Sequence, residues 1–311
     1  MRKINLETCA YPYYNLALSK TNLNKDYREL KSFPFKIIEK KNSLFIDLSN
    51  YKKIEKFLRL ADYFSEEIRM KCHFDDNISP YDFFQKNRQT MLKRLSDEGE
   101  VCFTYDVIDN YLWQNINFKQ CSNFPIPVAL ILLRHFNVKK WLDPSAGWGD
   151  RLVSAIAHGC EYNGVDPNLA MQSKYQEIIN NYAKSKKDNY QVTPLPFENF
   201  EVPNEYYDLV FTSPPFFKLE KYSTDITQCN VSHPTLGRWL NNFLFPLIKK
   251  AEKTLTINGH LALYISDYRE FKYVEKCKNY VKEKTKLKYH GTVNWKQGRG
   301  TRYIYIWKKT E

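Results

Sequence analysis

Two short segments hold residue types whose spacing permits chemistry. In the first, Trp141-Leu142-Asp143-Pro144-Ser145-Ala146-Gly147-Trp148-Gly149-Asp150-Arg151-Leu152, small residues at 145, 146, 147 and 149 separate a strand-like run from a helical one. Small side chains let backbone approach a ligand closely at the carboxyl end of a strand, and glycine tolerates the dihedrals such a turn requires. Asp143, ending the strand, offers an acceptor for an ammonium group. Gly164-Val165-Asp166-Pro167-Asn168 then ends the next strand-like run in an acid, placed to accept both hydroxyls of a ribose. A dinucleotide site would want a third glycine where Leu152 stands. The pair of features suits a nucleoside with an amino-acid tail and no pyrophosphate.

In the second segment, the run Tyr207–Thr212 passes directly into Ser213-Pro214-Pro215-Phe216-Phe217. Successive prolines fix an extended backbone and leave carbonyls without neighbouring N–H donors. A rigid arc of acceptors is therefore expected at the carboxyl edge of the sheet, where open α/β folds bind ligands.

Both segments need a parallel sheet to bring them together. From about Phe124 onward, β-branched and aromatic runs alternate with helical patterns. Strands are expected at Val138–Asp143, Glu161–Asp166, Tyr190–Thr193, Tyr207–Thr212 and His260–Asp267. Leu287–Trp295 and Thr301–Lys309 lie too close together for a parallel crossover and read as a terminal antiparallel hairpin. Helices fit at Ile126–Phe136, Asp150–His158, Leu169–Lys184, Leu236–Thr254 and Glu270–Lys284. The expected fold is α/β: a doubly wound, Rossmann-like, seven-stranded sheet with a C-terminal hairpin. Residues 1–120 read as a mostly helical accessory module that frames residues 121–311 or contacts substrate. Tyr51–Met70 and Pro80–Leu95 are its clearest helices, the latter opened by Ser79-Pro80.

Asp143-Pro144-Ser145-Ala146-Gly147-Trp148-Gly149-Asp150 resembles motif I of class I S-adenosylmethionine-dependent methyltransferases, and Asp166 matches their ribose-binding acid. The resemblance implies that Asp143, Ser145, Ala146, Gly147 and Gly149 surround the methionine part of S-adenosylmethionine. Ser122-Asn123-Phe124-Pro125 resembles motif X, whose Asn123 would help hold the cofactor carboxylate, and Glu198 falls where the family often contacts adenine. Ser213-Pro214-Pro215-Phe216 resembles motif IV of the amino-methyltransferases, with the first-place serine typical of cytosine-N4 enzymes and found among adenine-N6 enzymes too. A base amine is a poor nucleophile because its lone pair is delocalised into the ring. Two acceptors, the Ser213 hydroxyl and the Pro214 carbonyl, would draw the nitrogen toward tetrahedral geometry. Such alignment is worth up to about 7–11 kcal/mol in favourable systems. Phe216 would stack on a base that is flipped out or single-stranded. The resemblance spans roughly Ser122 to the C-terminus and is similar to methyltransferases of phages and large DNA viruses.

The implied partner is nucleic acid, DNA before RNA, with an RNA base amine, a protein amide or an inactive nucleic-acid-binding subunit as the alternatives. Motif I precedes motif IV with no recognition domain between, so target contacts are sought elsewhere: in the N-terminal module, in Lys218 and its loop, and in Lys296, Arg299 and Arg302 of the hairpin turn. The formal charge is +12 and the Glu270–Glu311 tail holds ten Lys and two Arg against four acids, a balance that attracts polyanions or merely solvates outer faces. Seven scattered cysteines, never in C-x-x-C, argue for reduced thiols and no zinc site, and the Cys72-His73-Asp75-Asp76 cluster lacks paired ligand spacing. No metal and no membrane span are expected, and an intracellular setting follows, cytoplasmic or nuclear. A homodimer or partner subunit is left open.

Overall fold

The computed structural model describes residues 11, 13–48, 56–99, 104–114, 119–297 and 300–311. Eleven strands are described: β1 (Lys36–Lys40), β2 (Ser43–Asp47), β3 (His73–Phe74), β4 (Lys140–Asp143), β5 (Glu161–Val165), β6 (Tyr190–Thr193), β7 (Tyr207–Thr212), β8 (Glu220–Lys221), β9 (Leu255–Tyr264), β10 (Leu287–Gln297) and β11 (Gly300–Lys309). Nine form one sheet in the order β1-β2-β10-β11-β9-β7-β4-β5-β6. The five strands from β6 to β9 are mutually parallel, and β10 and β11 form the expected antiparallel hairpin at the side of β9. In chain order the parallel strands run 3-2-1-4-5, which puts the point where winding reverses between β4 and β7. Ligands of doubly wound folds sit in the crevice outside the carboxyl ends at this switch point. Both chemically equipped turns leave from it.

The sheet is nine-stranded because the N-terminal region adds a hairpin that the sequence reading does not contain. Lys41 and Asn42 make the two-residue turn, with Asn42 at φ 59, as tight hairpins require. Leu44 and Ile46 are buried, and β2 pairs in parallel with β10. Gly291 of β10 is held at φ +146 against this turn, and a Cβ there would lie 2.3 Å from the Asn42 carbonyl oxygen. Apart from the two-residue strand β3, the remaining described N-terminal elements are helical, including α1 (Lys20–Ser32), α2 (Asp62–Arg69), α3 (Pro80–Asp97) and α4 (Tyr105–Gln114). Ser79 caps α3 as expected, its hydroxyl accepting from Asp82 N at 3.1 Å.

Helices α5 (Ile126–His135), α6 (Asp150–His158) and α7 (Gln172–Tyr182) share one core with α1, α2 and the inner residues of the sheet, including Leu30, Phe64, Leu130, Trp141 and Ile178. Helices α8 (Phe245–Thr254) and α9 (Val274–Lys284) build a second core containing Leu247, Leu261 and Trp307. Trp141 ties the centre together, stacking on Phe211 at 5.5 Å and donating Nε1–H to the Phe211 carbonyl at 2.9 Å.

Four expected elements differ in detail. The helix expected at Tyr51–Met70 turns at residues 59–61 and continues as Asp62–Arg69, and residues 51–55 lie outside the described residues. The Leu236–Thr254 helix is interrupted by a π-helical turn over Leu240–Leu244 just before Pro246, a residue with no N–H to give to a regular helix. The last helix begins at Val274, because the Asp267 carboxylate accepts from Tyr273 N and Val274 N, both at 2.9 Å, and Tyr268 bridges to Phe271. The strand expected at His260–Asp267 instead spans Leu255–Tyr264. No described helix is long and apolar enough to cross a membrane.

Candidate active site

A cavity of about 360 Å³ opens at the switch point, within the roughly 300–1,000 Å³ usual for small-molecule sites. Its wall includes Asn123, Ser145, Gly147, Asp150, Asp166 and Glu198 on one side and Ser213, Pro214, Pro215 and Phe216 on the other. The two segments picked out by residue type therefore face one continuous space.

The β4–α6 turn is shaped by backbone constraint as much as by ligand clearance. Gly147 and Gly149 sit at φ +64 and +91, where a side chain is strained. Gly149 is not on the wall; its φ calls for glycine, and a Cβ there would meet the end of the Ile178 side chain of α7 at 2.5 Å. Ala146, also off the wall, donates its N–H to the Val165 carbonyl at 3.1 Å, tying the turn to β5. Asp166 presents a prepared carboxylate. Its two oxygens accept from Gly147 N at 2.8 Å and Asn168 N at 2.9 Å. Burial raises this acid to about 6 while those two amides pull against it.

Asp143 requires correction. It is completely buried and lies behind the turn, where its carboxylate accepts from Arg151 Nε at 2.7 Å and Tyr162 hydroxyl at 2.9 Å. Arg151 also donates to the Ser145 carbonyl, so Asp143 braces the turn through Arg151. The acid that faces the cavity here is Asp150, in the first turn of α6.

Asp150 belongs to a buried polar chain that starts in the N-terminal region. Asn123 Nδ2 donates to Asp150 at 3.2 Å and to Asp62 Oδ1 at 3.0 Å, while Phe124 N donates to Asp150 at 3.3 Å. Arg69 holds Asp62 with bonds of 3.1 and 2.8 Å and spends its remaining reach on Gln120 and the Cys121 carbonyl. Burial pushes Asp150 up to about 7, assisted by the charge of Asp62 and opposed by Asn123, Arg69 and Arg151. Glu66, one turn from Asp62, accepts from Tyr14 N and Tyr105 hydroxyl and is lifted to about 8, first by burial and then by Asp62. Reading the chain for motifs passes over Asp62, Glu66 and Arg69. The signal available was their spacing of four and three, which puts three charges on one face of the helix.

Glu198 lies on the far wall with His233 Nε2 3.2 Å from its carboxylate, while Lys250 Nζ gathers the carbonyls of Phe197, Glu198 and Phe200 at 2.6–3.1 Å. Phe216 is backed by Tyr264, 5.6 Å away, and Tyr264 by Trp295 at 5.3 Å. Glu220, buried beside the Ser213–Phe216 turn, accepts from Ser122 N at 2.8 Å and Tyr222 hydroxyl at 2.6 Å, linking the motif X stretch to the second segment.

The four expected cationic contacts separate. Arg302 is exposed and stands on the cavity wall. Lys296 is exposed on the hairpin and off the wall, and Arg299 lies outside the described residues. Lys218 is exposed but lies over the rings of Phe217 and Phe271, at 5.5 and 5.8 Å, instead of reaching the cavity. Part of the tail charge has structural work: Lys309 is buried against the Leu255 carbonyl and Glu205, and Lys282 and Lys284 close the last turn of α9. Among the described residues, no group of three or more His, Cys, Asp or Glu is arranged to hold a metal ion.

No family model matches the chain, and no curated protein matches it. Similar solved structures include a SAM-dependent O-methyltransferase from Thermotoga maritima, 12% identical over 64% of this chain and 71% of that one, with a TM-score of 0.43. A tRNA (m1A58) methyltransferase, TrmI from Aquifex aeolicus, is 13% identical over 61% and 70% of the two chains, with a TM-score of 0.40. TrmN from Thermus thermophilus is 15% identical over 60% and 49%, with a TM-score of 0.42.

Proposed function

We propose that this chain transfers a methyl group from S-adenosylmethionine to the exocyclic amine of a nucleic-acid base, adenine N6 or cytosine N4, with DNA as the favoured strand. One observation carries the reading: Asp166 at the end of β5 and Ser213–Phe216 at the end of β7 line the same cavity. The residues present fit the cofactor. Asp166 has an oxygen for each ribose hydroxyl, Asp150 is an acid beside Ser145 and Gly147 for the ammonium group, and Glu198 with Phe197 borders the space left for adenine. When bound, the cofactor supplies a methyl group already activated on a positively charged sulfur.

The protein's task is then alignment. The Ser213 hydroxyl and the Pro214 carbonyl accept the two amine hydrogens, which frees the nitrogen lone pair from the ring. Pro214 and Pro215 hold that arc rigid, and Phe216, packed on Tyr264, offers a ring face to the base. The methylated nitrogen sheds one proton to solvent after attack while the thioether leaves, so no base is needed beforehand. Ser213 in first place favours a base amine over a protein amide, for which Asn is usual.

Incubation with labelled cofactor and DNA or RNA, followed by digestion and mass spectrometry of the nucleosides, tests the reading. Methyl label on an exocyclic nitrogen is expected, and the sugar identifies the strand. Ser213→Ala should retain cofactor affinity and slow turnover at least about tenfold, the value of one hydrogen bond near 1.4 kcal/mol. Unchanged turnover in that variant removes Ser213 from the chemistry.

A further inference from the structure

Residues 72–77 are clipped onto the loop that follows Ser213–Phe216, and the transfer described above gives this clip no task. His73 pairs with Lys221 and Phe74 with Glu220 in the small antiparallel sheet β3–β8. Asp75 N donates to the Leu219 carbonyl at 2.6 Å, and Leu219 N in turn donates to the Phe216 carbonyl at 3.1 Å. The Asp75 carboxylate accepts from Arg269, and Asp76 pairs with Lys221 at 3.4 Å. Cys72 Sγ reaches the Tyr222 carbonyl at 3.3 Å. These bonds hold the chain on both sides of Phe74, which is half-buried and on the cavity wall. Its chain neighbours and its strand partner place it at the Phe216, Leu219 and Glu220 end of the cavity. Asp166 and Glu198 are reached from other strands, β5 and the turn after β6.

We propose that Phe74 is a substrate-contacting residue, an aromatic wall lent by the N-terminal region to the pocket that receives the target base. This rests on the amino-methyl transfer reading and adds a second ring to its base pocket. A ring face accepts any base without hydrogen-bond readout, and a base held against two rings, Phe74 and Phe216, has left its stack and its pairing partner. The pocket is thereby composite: the sheet edge supplies the acceptors and Phe216, while the clip supplies the second ring.

The test uses the full chain, a random-sequence single-stranded DNA pool and its RNA counterpart, with methylated nucleosides counted by mass spectrometry. Phe74→Leu fills the space but cannot stack. It should lower kcat/KM about 5- to 150-fold, the range of one lost base–aromatic stack, mainly through KM. Phe74→Trp should regain most of the loss, and affinity for S-adenosylhomocysteine should stay within about twofold in both variants. A Phe74→Leu protein as active as the wild type would show that the ring merely packs. Loss of S-adenosylhomocysteine binding in step with activity would assign Phe74 to the cofactor instead, and also overturns the proposal. A wild-type protein that methylates neither these pools nor duplex DNA overturns the transfer reading itself, a result distinct from the other two.

Discussion

Cofactor affinity should depend on the protonation of Asp150, and the dependence has a definite sign. Asp150 is only 2% exposed, and its ordinary carboxylate value is pushed up to about 7 chiefly by that burial. The cofactor's amino-acid end brings a positive ammonium group, which the ionised acid favours. Binding must therefore tighten as pH rises toward 7 and level off above it. Below that point each pH unit costs about 1.4 kcal/mol, or roughly tenfold in Kd, because a proton must be removed for the ion pair to form. Between about pH 8 and pH 6 the loss should approach tenfold, and below about pH 6 Asp166 adds to the slope as it too takes up a proton. Asp150→Asn keeps the shape and the bond to Asn123 but supplies no charge. At about pH 8 it should weaken binding by the value of a charge-assisted hydrogen bond, about 1.5–3 kcal/mol, or roughly 10- to 150-fold, and flatten the profile above pH 6. Isothermal titration with S-adenosylhomocysteine, which keeps the ammonium group, measures both effects, and buffers of differing ionisation enthalpy count the proton released on binding. Equal Kd at pH 6 and pH 8, with no proton released, would refute the assignment of Asp150 as the ammonium partner.

Further outcomes follow from the same geometry. Arg69→Met strands the Asp62 carboxylate without its buried cation and should cost about 3–5 kcal/mol in urea unfolding. Folded Glu66 keeps its proton up to about 8 whereas an ordinary glutamate loses it near 4.5. Its contribution is thus present below 4.5 and lost as pH rises to 8, so Glu66→Gln should abolish that part of the pH slope and be the more stable protein, relative to wild type, at about pH 8 than at about pH 5. In Gly291→Ala the new Cβ meets backbone at Asn42, and hydrogen exchange over residues 36–47 should accelerate with a cost on the order of 1–3 kcal/mol. Gly159→Ala, with nothing within 4 Å of its Cβ, is the matched control for positive φ alone.

The sheet and its two loaded turns were legible because each rests on local pattern. Tyr190–Thr193, Tyr207–Thr212 and Asp150–His158 have the ends expected from apolar runs, turn residues and the Gly149 and Gly159 boundaries. What escaped depends on contacts distant in sequence. The Ser43–Asp47 run has only two buried side chains, and its register comes from β10, which no local pattern can announce. Asp143 and Asp150 look equally able to serve a cofactor on paper. Arg151 and Tyr162 decide between them by occupying the first, and Tyr162 approaches only once β5 lies beside β4. Phe74 sits within a Cys-His-Asp cluster that draws attention as metal chemistry, while its role comes from a two-residue pairing with Glu220.

The parallel ladder between β2 and β10 also sets a timetable for biogenesis. Leu44 leaves the ribosome about 250 residues before Val293, the residue it lies beside in the finished sheet. At about 5–20 residues per second this is a delay of roughly 10–50 s during which one side of the hairpin has no ladder partner. Lys36, Glu39 and Lys40 on β1 put charges along the outer strand, the kind of residue that discourages a stray chain from docking there. The last strand pair to be synthesised is then the one that closes over the first.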